Sequence, residues 1–118
     1  MPLSLSPAAD MLATIREYLE QEILPNLADD KWFNVKVALN MLATIERELR
    51  LAPAANEHER ERLAALLDMP GTLEDLNAAL ALAIREGRIA PDDPRLLEHL
   101  RETTADALRI NNPQWLTR

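Results

Sequence analysis

The stretch that most constrains the fold is Lys31–Leu51, KWFNVKVALNMLATIERELRL, the most apolar long helical segment of the chain. With successive residues about 100° apart, Val35, Ala38, Leu39, Met41, Leu42, Ile45 and Leu49 share one broad arc, with Trp32 and Ala43 at its edge. An arc wider than the roughly 100° stripe of a surface helix implies contact with several neighbours at once. The segment is therefore expected to be the hub of the fold. Its remaining sector carries Lys36, Asn40, Thr44 and Arg47, at spacings of four, four and three. Such spacings bring side chains into one row, and Phe33 and Val37 flank it. Either Lys36 and Arg47 lay their stems on apolar surface with their charges in water, or the row is a partly buried set of donors facing an acid.

The eight prolines and two glycines fall almost entirely between periodic segments, which makes them the punctuation of the fold. Ser6-Pro7 reads as N-cap and first helical position. Ala8, Met11, Leu12, Ile15, Tyr18, Leu19 and Ile23 then form one apolar face that ends before Pro25. Pro53 is expected to stop the central helix. Asn56–Asp68 reads as the weakest helix, peripheral and mobile, because NEHERER is almost wholly charged. After the Met69-Pro70-Gly71 turn, Thr72 to Asp75 resembles a capping box. Leu73, Leu76, Ala79, Leu80, Ala83 and Ile84 face the core, and Gly87 is a left-handed C-cap. Asp93-Pro94 opens the last helix by cap-plus-proline logic. That helix presents Leu96, Leu97, Leu100, Thr104, Ala107, Leu108 and Ile110, and ends at Asn111-Asn112-Pro113. Trp115 and Leu116 are expected to fold back on the bundle. No period-2 pattern and no repeat is present. The expectation is an all-α, single-domain bundle over residues 1–118 with about five helices, largely antiparallel, and the second helix (about 30–51) central.

At 118 residues the chain can bury a core without staples. Aromatics make up only 3%, so that core must be aliphatic. The absence of Cys removes a disulfide framework, a thiolate nucleophile and cysteine zinc sites. A formal net charge of −7 argues against binding nucleic acid or anionic membranes. The first residues, MPLSLS, lack the pattern of a signal peptide, and no apolar run approaches the roughly 18 residues of a spanning helix. A cytoplasmic protein is the default expectation.

Two isolated glycines cannot build a phosphate or dinucleotide loop. His58 and His99 lie in different helices, outside any His-Glu-x-x-His or Glu-x-x-His spacing, and both are expected to be exposed. No metal site and no cofactor are expected, and no serine stands in a nucleophile-elbow context. What remains are polar residues on mainly apolar faces: Glu22 on the first helix, Asn40 in the central row, Asn77 on the fourth helix. Lys36 or Arg47 could partner Glu22 if the first two helices pack antiparallel. This set forms an internal network that fixes helix register, or Glu22 is simply exposed near its helix end, or the set is a ligand pocket of Glu22, Lys36, Asn40, Arg47 and Asn77.

Four segments carry a family resemblance: REYLEQEILP (Arg16–Pro25), FNVKVALNMLATIEREL (Phe33–Leu49), LEDLNAALALAIREGRI (Leu73–Ile89) and DDPRLLEHLRETTADALRINNP (Asp92–Pro113). In their order they resemble an uncharacterised bacterial all-helical family. Its members occur beside or fused to aminoglycoside-phosphotransferase-like kinases and near acyl-CoA dehydrogenases. A basic residue at Lys36, Asn at Asn40, the Leu76-Asn77 pair and Asn112-Pro113 fit the family pattern, whereas Asn34 stands where the family often has His. The resemblance implies an accessory domain of a kinase-like or acyl-CoA-related pathway, and it supplies no activity.

The function expected from these readings is a non-enzymatic helical accessory or interaction domain. Its partner is a kinase-like or acyl-CoA-related protein, another subunit or a second copy. Trp32, Phe33, Ala78, Ala79 and Leu82 are the candidate contacts. The alternative is a binding module for an acidic metabolite or acyl-thioester that uses the Lys36, Asn40 and Arg47 row. An enzyme ranks third.

Overall fold

The structure, a computed structural model, describes residues 7–117. Every regular element among them is helical: α1 (Pro7–Tyr18), a π-helical turn (Leu19–Ile23), a 3₁₀ turn (Leu24–Asn26), α2 (Asp29–Leu67), α3 (Leu73–Arg85), α4 (Pro94–Asn111) and a closing 3₁₀ segment (Pro113–Thr117). The expected Ser6 cap lies outside the described residues.

Four α-helices stand where about five were expected, because Pro53 does not end the central helix. Proline has no N–H to donate to the carbonyl four residues back, so Leu49 loses one ladder bond and the helix continues for 39 residues. The chain divides at this proline into two compact units, the first ending at Ala52 and the second beginning at Pro53.

In the first unit α1 runs antiparallel to residues 29–52 of α2, in a register set by ion pairs. Asp10 meets Arg50 at 3.0 Å, Arg16 meets Glu46 at 3.1 Å, and Glu20 lies 4.0 Å from Lys36. As the α1 partner advances along the chain, the α2 partner retreats. Among the described residues of this unit, only Ala9, Leu24 and Leu39 are buried. Val35, Leu42, Ala43 and Leu49 are half-buried, while Ala38, Met41 and Ile45 are exposed. The broad arc expected to be a buried hub is thus covered along its Leu39 line and wet beyond it. One neighbouring helix covers one stripe, and the arc is wider than a stripe.

The second unit holds the closed core. Leu63 of α2, Leu76 and Leu80 of α3 and Leu96 of α4 are buried together, with Leu66, Leu67, Leu73, Ile84 and Ile89 packed around them. The segment expected to be a weak peripheral helix therefore supplies Leu63, which is fully buried. Its charged residues fill the solvent side of a helix already nucleated upstream, so the NEHERER run needs no stability of its own.

Local signals held in this unit. The Thr72 hydroxyl accepts from the Asp75 N–H at 3.1 Å and caps α3. Gly87 adopts φ +79° after α3, and the Arg88 N–H donates back to the Ala83 carbonyl at 2.9 Å. That is the glycine C-terminal geometry a Cβ would disfavour. Asp93 caps α4 by accepting from the Arg95 N–H at 2.8 Å, with Pro94 in the first turn. Leu116 folds back to line a groove with Leu97, Leu100 and Leu108. Trp115, expected to fold back as well, stays exposed.

Candidate functional site

The residues expected to bind a ligand fall in two places. Lys36, Asn40 and Arg47 do share one row on α2, and Lys36 and Arg47 meet groups of the first unit. The Thr44 hydroxyl donates to the Asn40 carbonyl at 3.1 Å, and Arg47 donates to that hydroxyl at 3.1 Å. The acid nearest Lys36 is Glu20 rather than Glu22. Glu22 is exposed, and its carbonyl accepts from the Asn26 side chain at 3.0 Å. Asn77 is exposed on α3, in the second unit. Of the contact candidates, Trp32, Phe33, Ala78 and Leu82 are exposed and Ala79 is half-buried.

Helical projection gives the hairpin of the first unit two unlike flanks. On one lie the ion pairs, centred on Glu46, whose carboxylate takes Arg16 at 3.1 Å and Arg50 at 3.5 Å. Away from them, Met11, Ile15 and Tyr18 of α1 follow one another at helical spacing, as do Met41 and Ile45 of α2. These five side chains are 65, 51, 58, 63 and 42% exposed. The ion-pair register sets Ile15 level with Ile45. Glu22, one turn after Tyr18, and Glu48, three residues after Ile45, are exposed on the same helix faces.

The second unit carries a polar cluster that the sequence reading placed wrongly. His99, expected in solvent, is 5% exposed. It follows Leu96 by three and precedes Thr103 by four, so Leu96, His99 and Thr103 form the row that α4 turns toward α2. That row was the missed signal. Arg62 of α2 answers it: its Nε donates to His99 Nδ1 at 3.3 Å and lies 3.1 Å from a Glu102 carboxylate oxygen, while an Nη donates to the Thr103 hydroxyl at 3.1 Å. Burial pushes the His99 pKa down, and the Arg62 charge pushes it further, against the smaller pull of Glu59 and Glu102. The ring is therefore neutral at pH 7. With Nδ1 accepting, the proton resides on Nε2.

His99 borders an open groove of about 430 Å³ lined by Arg62, Ala65, Leu66, Pro94, Arg95 and Glu98. A second groove beside it, between His58 and Arg109, is lined by alternating arginines and carboxylates that pair with each other. His58 is exposed, as expected. No cluster of three or more His, Asp and Glu suited to a metal occurs among the described residues, and no described helix is long and apolar enough to cross a membrane.

Fold and surface define an all-helical protein that presents unlike faces: a charged flank, an apolar flank and a histidine-bordered groove. The chain belongs to a family described as a domain of unknown function, DUF6285, whose model matches residues 25–115. No curated protein and no solved structure matches it. The matched region spans all of α2, α3 and α4, and α1 precedes it.

Proposed function

We propose that this chain is a non-enzymatic helical interaction domain, an accessory module that works by docking its apolar helix faces onto protein partners. The observation that carries the reading is the amount of large apolar side chain left in solvent. Besides the hairpin flank, Trp32 and Phe33 at the start of α2 and Leu82 on α3 are exposed. A few scattered apolar side chains are ordinary on any surface, but a contiguous patch marks an interaction site. The family resemblance supplies the partner class: a kinase of the aminoglycoside-phosphotransferase type or an acyl-CoA-related enzyme. Phe33 and Leu82 are the contacts assigned to it. Titrating the purified full chain with such a kinase from the same source, by calorimetry, should give saturable binding that Phe33→Asp or Leu82→Asp weakens at least tenfold. Absence of binding to both enzyme classes would remove this partner assignment.

A second reading, a small-molecule binding module, is favoured by one observation. His99 is buried, its Nδ1 is occupied by Arg62, and its Nε2–H has no hydrogen-bond partner among the described residues. No fully buried polar atom is unpaired among those residues, so Nε2 reaches the groove. There it can donate to a carbonyl or carboxylate, with Arg95 beside it and Leu66 and Pro94 as apolar wall. The acyl-thioester reading then belongs to this groove rather than to the Lys36 row. A thermal-shift titration with acyl-CoA thioesters and short carboxylates should give a saturable rise in Tm that His99→Leu abolishes. No shift at millimolar ligand would discard it.

A further inference from the structure

We infer that the groove bordered by His99 takes a neutral acyl compound, an amide or an ester, whose carbonyl oxygen accepts from the His99 Nε2–H while its apolar body lies along Ala65, Leu66 and Pro94. The inference rests on the small-molecule reading of that groove and fixes the chemical class of its ligand.

Three observations lead to it. The first is the state of the ring. His99 is 5% exposed, and its Nδ1 accepts from the Arg62 Nε at 3.3 Å. A guanidinium has no lone pair to offer, so Nδ1 must present its own and the ring proton stays on Nε2. Arg62 is itself held, by a Glu102 carboxylate oxygen at 3.1 Å and by the Thr103 hydroxyl at 3.1 Å. The groove therefore meets a fixed hydrogen-bond donor. Nε2 has no lone pair left with which to abstract a proton or ligate a metal, so its chemistry is recognition.

The second is the setting of that donor. Nε2–H has no hydrogen-bond partner among the described residues, and no side-chain polar atom sealed from solvent among them lacks one, so Nε2 opens to the groove. The walls beside it are Ala65, Leu66 and Pro94, and the groove holds about 430 Å³. That volume lies within the roughly 300–1,000 Å³ of small-molecule sites, which combine apolar walls with a few placed polar groups. A hydrocarbon would fill the walls and leave the donor unanswered, which costs its desolvation.

The third is charge. The charged residues of the lining already face opposite charges: Arg62 faces Glu102, Arg95 lies 3.9 Å from Asp93, and Glu98 takes Arg101 at 2.9 Å. The whole chain carries a formal charge of −7, which gives an anion no long-range attraction. A carboxylate entering the groove would exchange its water for one neutral donor, and an ion so exchanged loses more than it regains. A neutral carbonyl gives up a hydrogen bond to water and regains one from Nε2. Burial of its apolar body then appears as affinity.

The test is titration of the isotopically labelled full chain with hexanamide, methyl hexanoate and hexanoate, read by NMR at the imidazole nitrogens of His99. Without a probe, Nε2 should carry the proton and Nδ1 the lone pair. The two neutral probes should shift Nε2 saturably and bind at least ~10-fold more tightly than hexanoate. Their affinity should stay constant as salt rises from about 0.05 to about 0.5 M, because no ion pair forms. His99→Leu removes the donor, and Ala65→Phe fills the groove from an exposed position of α2. Each should weaken hexanamide at least ~10-fold. Circular dichroism confirms that the variants keep their helicity, and should the leucine variant unfold, Ala65→Phe supplies the readout. A proton found on Nδ1 overturns the inference, and so does hexanoate bound as tightly as the neutral probes; a saturable titration then still supports the small-molecule reading. Hexanamide affinity indifferent to both variants, or no binding of any probe at millimolar concentration, overturns the inference and removes that reading with it.

Discussion

In the second unit Leu63, Leu76 and Leu96 are out of reach of solvent, whereas in the first Met11, Ile15, Tyr18, Met41 and Ile45 stand largely in it. Both units are built from amphipathic helices with aliphatic faces, so the difference does not come from composition. It comes from the number of helices available to close the structure. Three helices surround a line of leucines on all sides. Two helices bury one seam, and whatever apolar surface extends past the seam remains uncovered. The first unit uses ion pairs to fix its register, and these contribute little net stability at exposed positions. The second relies on burial, which contributes more. One unit is a finished core and the other is an unfinished one with a defined edge.

Removing a buried side chain should separate the units most sharply. Leu63→Ala is expected to lower unfolding free energy by about 2–5 kcal/mol, through lost transfer energy and a residual cavity. Met41→Ala should cost less than about 1 kcal/mol, since surface substitutions do little. Urea unfolding of both variants measures the contrast, and equal losses would break it.

A smaller effect is expected from the polar cluster of the second unit. The folded pKa of His99 lies below its ordinary value, so the unfolded chain takes up the proton first as pH falls. Stability is therefore fully present above about pH 6.5 and is lost as pH falls from there through the folded pKa. In His99→Gln this decrement should disappear from the pH profile. The substitution should also cost about 1–2 kcal/mol at pH 7, because it disturbs a buried hydrogen-bonded site. A profile unchanged by the substitution would contradict the buried neutral ring.

The smallest effect belongs to the charged flank. Glu46→Gln leaves Arg16 and Arg50 with weaker partners, at a cost of roughly 1 kcal/mol or less that shrinks as salt is raised. A loss several times larger would mean that the ion pairs, rather than the shared seam, hold the hairpin together.

What could be read from the sequence follows the range of each interaction. Thr72, Gly87 and Asp93 declared themselves because a cap is settled within four residues. Pro53 misled for the same reason: the rule that proline ends helices is local, and here it costs one ladder bond in a helix sustained on both sides. The Lys36, Asn40 and Arg47 row was legible as a row, but its answering groups, the Thr44 hydroxyl and Glu20, depend on rotamers and on the facing helix. His99 was misplaced because its row acquires meaning only once Arg62 stands opposite. The open flank was hidden most deeply, since an apolar arc announces that it should be covered and says nothing of what covers it.

Hydrogen exchange of the full chain tests the central claim, that the second unit closes a core of its own while the first leaves large apolar side chains in solvent. The amides of Leu76–Ala83 should be the most protected, while those of Met11–Tyr18 and Ala38–Ile45 exchange faster. Equal protection in the two units, or slower exchange in Met11–Tyr18 and Ala38–Ile45, would contradict it.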